Sequence, residues 1–325
     1  MKTKTLIARI VYILIIAIIL LPTPASMCSG KWEYLITAPL ALFLGLLFAF
    51  TLDCPCPKFN KKTSKYLLQV AVVCLGFTMN LEQSLKSGSE GMAFTVVSVV
   101  GVMCLGMLFA YALHLNRKTG YLISSGTAIC GGSAIAAVGP VLKADSDEMA
   151  VSLGVIFILN AVALFIFPPL GHLFDMSQQQ FGTWAAIAIH DTSSVVGAGE
   201  VFGAQALETA TLIKLTRALW IIPLAFVTMF IFRDKNSGGR ISIPWFIFIF
   251  VLAMLANTYV DLPAAFHESM TYIAKRGMVV TLFMIGASLS LKMIKSVGVK
   301  PLVLAILLWI TIGVSSFVVV MNTVA

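Results

Sequence analysis

Charged residues are scarce in this chain. Asp, Glu, Lys and Arg make up 11% of its 325 residues, against 59% hydrophobic residues. A soluble domain carries about 25% charged residues, so this sequence has too little charge to coat a water-facing surface. That excludes a sizeable soluble domain. Enzyme signatures are missing as well: there is no HExxH zinc helix, GxSxG elbow or Walker A loop. Enzyme activity is not expected. The six cysteines include no CxxC and no two spaced pairs, which a metal or redox role would use. Cys54 and Cys56 form a CPCP loop beside Lys58, Lys61, Lys62 and Lys65, while Cys74, Cys104 and Cys130 lie inside apolar segments. Neither a disulfide scaffold nor a metal or cofactor is expected. The net charge of +8 does not gather on one face, so nucleic acid is not an expected partner.

Apolar length is what the chain has instead, with a mean hydropathy of +0.97. About 20 apolar residues cross a bilayer. Hydrophobic segments lie near 7–21, 35–52, 66–81, 92–113, 121–142, 149–170, 182–199, 206–232, 243–260, 271–291 and 301–322. The expected fold class is an all-α polytopic membrane protein with about eleven transmembrane segments, forming one integral membrane domain over residues 1–325. Residues 1–30 hold the first segment, which follows Lys2, Lys4 and Arg9 and precedes Pro22-Thr23-Pro24-Ala25-Ser26. This arrangement fits a retained helix and also a signal peptide; we expect the helix, and Met27 before Cys28 argues against a lipoprotein site.

Loop charges predict the orientation. With the N-terminus in the cytoplasm, fifteen basic residues fall inside: Lys2, Lys4, Arg9, Lys58, Lys61, Lys62, Lys65, Arg117, Lys118, Arg233, Lys235, Arg240, Lys292, Lys295 and Lys300. Five fall outside: Lys31, Lys86, Lys143, Lys275 and Arg276. This is a positive-inside bias, placing the C-terminus outside.

The sequence also echoes itself. Leu75-Gly76-Phe77-Thr78-Met79-Asn80-Leu81 resembles Ile285-Gly286-Ala287-Ser288-Leu289-Ser290-Leu291 at an offset of 210 residues. That offset also lays 35–52 on 243–260 and 92–113 on 301–322, in opposite directions, as inverted repeats of secondary transporters do. A second echo pairs Ala128-Ile129-Cys130-Gly131-Gly132-Ser133 with Ala188-Ile189-His190-Asp191-Thr192-Ser193 at an offset of 60. Full crossings would run these two segments the same way, so either one is re-entrant or the likeness is accidental.

These echoing segments carry the chemistry. Gly131-Gly132 and Pro140 disfavour a continuous helix across 126–140. Broken backbone at membrane depth needs protein or a watery cavity to satisfy it, and a half-helix N-terminus favours an anion. Backbone around Cys130, Gly131 and Gly132, with the hydroxyls of Thr127 and Ser133, forms a candidate substrate contact. Close packing through small residues is the competing explanation. His190 and Asp191 lie mid-segment, followed by Thr192 and Ser193. A charge there costs roughly 3 kcal/mol, which marks these residues as candidates for proton or ion coupling. A shallow re-entrant piece in water would carry them at no cost. Lys214 and Arg217 share one helix face near the centre of 206–232. They either pair with Asp191 or form a cationic wall for an anion. Two cations against one carboxylate tilt the reading towards the anion.

Gly126-Thr127-Ala128-Ile129-Cys130-Gly131-Gly132-Ser133-Ala134-Ile135-Ala136-Ala137, Ile189-His190-Asp191 and Lys214-Leu215-Thr216-Arg217 together resemble the YeiH-like family of bacterial inner-membrane proteins, from about residue 35 onward. The family carries a sulfate-exporter label and is grouped with cation/proton antiporters and bile-acid-symporter-like transporters. The resemblance implies inverted repeats with two broken, crossing helices. Gly131-Gly132-Ser133 departs from the family's usual Gly-Ala-Ser, and Thr192-Ser193-Ser194 from its Val-Ala-Gln.

The expected function is proton-coupled export of a small anion, with sulfate as the candidate. A cation/proton antiporter using Asp191 is the alternative, and a non-transporting scaffold or sensor is the third reading. Expected partners are a small inorganic or organic anion, protons or sodium, and the lipid bilayer, with a homodimer left open.

Overall fold

The structure is a computed structural model that describes residues 2–20, 36–52, 55–232, 245–288 and 297–324. Pro22–Ser26, Cys28, Lys31, Cys54, Arg233, Lys235, Arg240, Lys292, Lys295 and the Leu289–Leu291 end of the first echo lie outside the described residues. All regular structure among the described residues is helical.

The helices are α1 (Lys2–Leu20), α2 (Ala38–Thr51), α3 (Pro57–Gly76), α4 (Leu81–Ala112), α5 (Arg117–Ala128), α6 (Gly132–Val141) and α7 (Ser146–Leu173). They continue as α8 (Gln178–Ala188), α9 (Thr192–Phe202), α10 (Ala204–Ala218), α11 (Ile221–Ile231), α12 (Trp245–Tyr259), α13 (Ala264–Ser288) and α14 (Val299–Thr323). They fall into two compact units. The first holds α1, α2, α3, α13 and most of α12; the second holds α4 to α11 and α14. Among the described residues, four stretches are long and apolar enough to cross a membrane: Thr95–Ala112, Ser146–Leu173, Ala204–Ile231 and Val299–Thr323.

In the first unit the 210-residue echo has a packing basis. A Cβ on Gly286 of α13 would lie 2.6 Å from the Leu42 carbonyl oxygen of α2. A Cβ on Gly76 of α3 would lie 2.8 Å from the Phe250 carbonyl oxygen of α12. Offset by 210, α2 corresponds to α12 and α3 to α13, so equivalent glycines let equivalent helices touch backbone to backbone. Nothing larger fits either contact. Around α13 the core gathers Ala8, Tyr12, Phe48, Val280, Phe283 and Met284. One buried amide ties it together. Tyr12 donates its hydroxyl proton to Asn60 Oδ1, and Asn60 Nδ2 donates to the Met284 carbonyl at 2.6 Å and to Ser288 Oγ at 2.6 Å.

The second unit departs from the expected topology. Segment 121–142 splits into α5 and α6, about 18 Å and 15 Å long at 1.5 Å per residue, each too short to cross alone. The two run side by side in opposite directions. Lys118 Nζ at the start of α5 donates to the Lys143 carbonyl just past α6 at 2.9 Å, and a Cβ on Gly126 would lie 3.0 Å from Ile135 Cδ1 across the pair. Pro140 sits in the last turn of α6 and breaks nothing. The turn is at Ile129-Cys130-Gly131, where Gly131 takes φ 64°, a conformation that favours glycine.

Segment 182–199 folds the same way. Phe181 in α8 stacks on Phe202 at the end of α9 with ring centroids 3.8 Å apart, and Gln178 Oε1 accepts from Gln205 N at 3.0 Å, closing the base of the hairpin. The expected crossings at 121–142 and 182–199 are therefore corrected to two helical hairpins, and the broken helices do not run through. Between them stands α7, opened by a capping box on Asp145. After the second hairpin come α10 and α11, offset at Leu219-Trp220 ahead of Pro223, whose missing N–H interrupts the ladder.

Because α7 runs from the base of the first hairpin to the base of the second, the hairpins enter the unit from opposite ends. His172 near the end of α7 stacks on Phe202 at 4.3 Å, and Tyr121 in α5 shares a 2.7 Å hydrogen bond with Thr228 near the end of α11. This accounts for the second echo. A 60-residue shift carries α5 onto α8, α6 onto α9 and α7 onto α10–α11, an inverted repeat nested inside the first.

Candidate functional site

The tips of the hairpins meet in the interior of the second unit. A Cβ on Gly131 would lie 3.4 Å from Asp191 Cα. Four half-helix ends converge there. The C-termini of α5 and α8 present carbonyls that lack a partner within their own helix and carry partial negative charge; the N-termini of α6 and α9 present N–H groups and partial positive charge.

Three of these four ends are compensated by a charged side chain. Arg217, fully buried on α10, donates from Nε to the Ala128 carbonyl at 2.8 Å, at the end of α5. Lys214, one turn earlier and fully buried, donates from Nζ to the Ile189 carbonyl at 2.7 Å and the Ala186 carbonyl at 3.2 Å, at the end of α8. Asp191 caps α9: its Oδ2 accepts from Ser193 N at 3.1 Å and from the Ser193 hydroxyl. The fourth end differs. The N-cap of α6 is Gly131, which has no side chain to offer.

Among the described residues, six buried polar atoms without hydrogen-bond partners belong to side chains at these tips or on the helices beside them: Thr127 Oγ1, Asn160 Nδ2, both ring nitrogens of His190, and Nη1 and Nη2 of Arg217. Thr127 and Arg217 are fully buried, His190 is 1% exposed and Asn160 4%. Two charged N–H-bearing atoms, an amide NH2 and a ring N–H outnumber the acceptors among them, and such groups left unpaired cost about 1–3 kcal/mol each. Their arrangement suits an acceptor-rich, negatively charged guest.

The structure brings together most residues singled out from the sequence: Thr127, Cys130, Gly131, His190, Asp191, Thr192, Ser193, Lys214 and Arg217. Cys130 is buried within the electrostatic reach of Lys214, Asp191 and Arg217, with the Ala134 N–H directed at its sulfur. Gly132 is half-buried in the first turn of α6, and Ser133 beside it points to an exposed face rather than into the buried cluster. Lys214 and Arg217 do share a face, as their spacing requires. Their recorded partners are helix-end carbonyls rather than the Asp191 carboxylate.

Asn160 was missed. It stands on α7, accepts from Asp191 N through Oδ1 at 3.1 Å, and leaves Nδ2 free. A lone amide in the middle of Val155-Ile156-Phe157-Ile158-Leu159-Asn160-Ala161-Val162 was the available signal.

Comparison with known proteins agrees with the residue-level resemblance. The family model described as "Conserved hypothetical protein 698" matches residues 7–305. A "UPF0324 membrane protein" of Bacteroides thetaiotaomicron is 61% identical over 291 residues, covering 88% of this chain and 86% of that protein. Another, from Porphyromonas gingivalis, is 51% identical over 319 residues, 96% of each chain. A third, from Photobacterium profundum, is 44% identical over 291 residues, 90% of this chain and 89% of the relative. No solved structure matches.

Proposed function

This chain belongs to the YeiH-like, UPF0324 family of membrane proteins, and from that premise we propose that it is a secondary transporter of a small oxyanion, with sulfate as the first candidate. One observation carries the reading: Arg217 is fully buried with Nη1 and Nη2 both unpartnered, at the meeting of four half-helix ends. A guanidinium whose Nε is held by a backbone carbonyl presents its outer fork in one orientation, suited to two oxygens of an anion. The N-terminus of α6, whose N-cap Gly131 has no side chain, supports the same guest. Hairpins that enter from opposite ends and meet tip to tip are an arrangement that alternating access about a central site can use. Asp191 is engaged as the cap of α9, which weighs against its use as a cation site. Export is the direction that the family resemblance implies, and the bacterial inner membrane the location.

The hairpin geometry also bears on orientation. Lys143 lies beside Lys118 at one end of the unit, so it joins the cytoplasmic set. Fifteen basic residues against five become sixteen against four. With two segments turning back, the later helices keep their direction in this reading, and the proposed orientation is N-terminus in the cytoplasm and C-terminus outside.

The test is exchange of labelled sulfate in proteoliposomes with matched internal and external pH. Arg217→Gln is expected to lower exchange by about a hundredfold, the scale of a lost charge-assisted fork, while eluting as folded protein. Full exchange by folded Arg217→Gln sinks the assignment.

A further inference from the structure

Among the unpaired groups of the site, His190 is one that can also carry a proton. His190 is 1% exposed, sits at the tip of the α8–α9 hairpin, and has no partner on either ring nitrogen. Its surroundings define its charge balance. Lys214 and Arg217 face it from α10. Asp191 follows it on its own loop, committed to Ser193. From α7 comes Asn160, a neutral amide, and the opposite tip contributes Cys130 as its titratable side chain.

Resting on the anion reading above, we propose that His190 carries a proton that travels with the anion, in the same direction, so that the coupling is co-transport. The argument is electrostatic. Two buried cations already stand beside the ring, and a third positive charge is unfavourable until negative charge enters the site. An oxyanion on the Arg217 fork supplies that charge and an acceptor for the ring N–H. Linkage is reciprocal: the anion favours the proton, and the proton favours the anion by the same factor. The proton is taken from water on the side to which the site is open, onto one ring nitrogen, and is released to water on the other side when the anion leaves. On uptake an O–H bond of a hydronium ion breaks as the N–H bond forms, and on release the N–H bond breaks as the proton returns to water; no other bond changes. Under an inward proton gradient such coupling drives uptake, opposite to the export that the family label implies.

The experiment uses sulfate as the probe and the full-length protein in proteoliposomes with a trapped pH dye. An inward sulfate gradient is expected to acidify the lumen. Sulfate affinity, measured at matched pH on both sides, is expected to rise as pH falls, by up to about tenfold per unit for one linked proton. His190→Gln is expected to abolish this slope. Asp191→Asn, which keeps an N-capping oxygen, is expected to keep it. The dye response of the unmodified protein tests the proposal even where a variant fails to fold. Alkalinisation, sulfate exchange without any dye response, or loss of the slope in Asp191→Asn instead of His190→Gln overturns the proposal and leaves the anion site standing. Absence of any protein-dependent sulfate exchange overturns both.

Discussion

Asn60 and Asn160, a buried asparagine from each unit, differ in how far they are satisfied. In the first unit Asn60 is fully occupied: it accepts from Tyr12 and donates to the Met284 carbonyl and Ser288. In the second, Asn160 uses its oxygen on Asp191 N and leaves its amide nitrogen idle. A satisfied buried amide rigidifies a core, whereas an unsatisfied one is a cost kept for a guest. The glycines differ by position rather than by unit. Gly45, Gly76 and Gly286 in the first unit and Gly182 in the second bring helix backbones into contact, while Gly131 turns a hairpin tip and leaves the N-cap of α6 without a side chain. The core around Asn60 is packed to closure; the site around Asn160 withholds its strongest donors.

The sharpest way to break this contrast is steric. A Cβ on Gly45 would lie 2.3 Å from the Phe283 carbonyl oxygen. Gly45→Val is expected to destabilise the first unit by about 3 kcal/mol or more, the upper range for overpacking. A fall in folded yield and thermal midpoint in detergent would show it, and a variant as stable as the parent would remove the closure argument.

A gentler comparison exchanges each amide for an isosteric apolar group. Asn60→Leu removes the acceptor of the Tyr12 hydroxyl and the donor to the Met284 carbonyl and Ser288 Oγ and is expected to cost about 2–3 kcal/mol, with sulfate exchange per folded molecule retained. Asn160→Leu loses one hydrogen bond, about 1 kcal/mol, yet is expected to reduce exchange by an order of magnitude. Thermal unfolding and exchange measured on both variants decide the matter; matching profiles would erase the distinction between the units.

Smallest in energetic effect is a test of the hairpins themselves. Lys118→Cys and Lys143→Cys are each expected to change stability by less than about 0.5 kcal/mol, as surface substitutions do. An impermeant thiol reagent should label both from the same side of sealed vesicles. Labelling from opposite sides would restore a full crossing at 121–142.

Much of the first unit was legible in the sequence, because hydropathy and the spacing of Gly76 and Gly286 follow directly from apolar helices in close contact. The cations on α10 were legible too: Lys214 and Arg217 in an apolar segment have no cheap explanation. The hairpins were not. Hydropathy records that a segment is apolar and long enough, and a pair of half-helices totals the same length as one crossing. The 60-residue echo held the clue, but its meaning depends on direction, which residue order does not contain.

The sequence by itself determined a helical membrane protein, its family, the break at Gly131 and the misplaced polar pair His190-Asp191, since composition, glycine and misplaced charge act locally. Tertiary structure alone decided that the breaks meet tip to tip, which helix end each cation serves, and that Asn160, His190 and the Arg217 fork remain unpaired. Those outcomes depend on which chain ends lie side by side, a long-range property that no local pattern fixes.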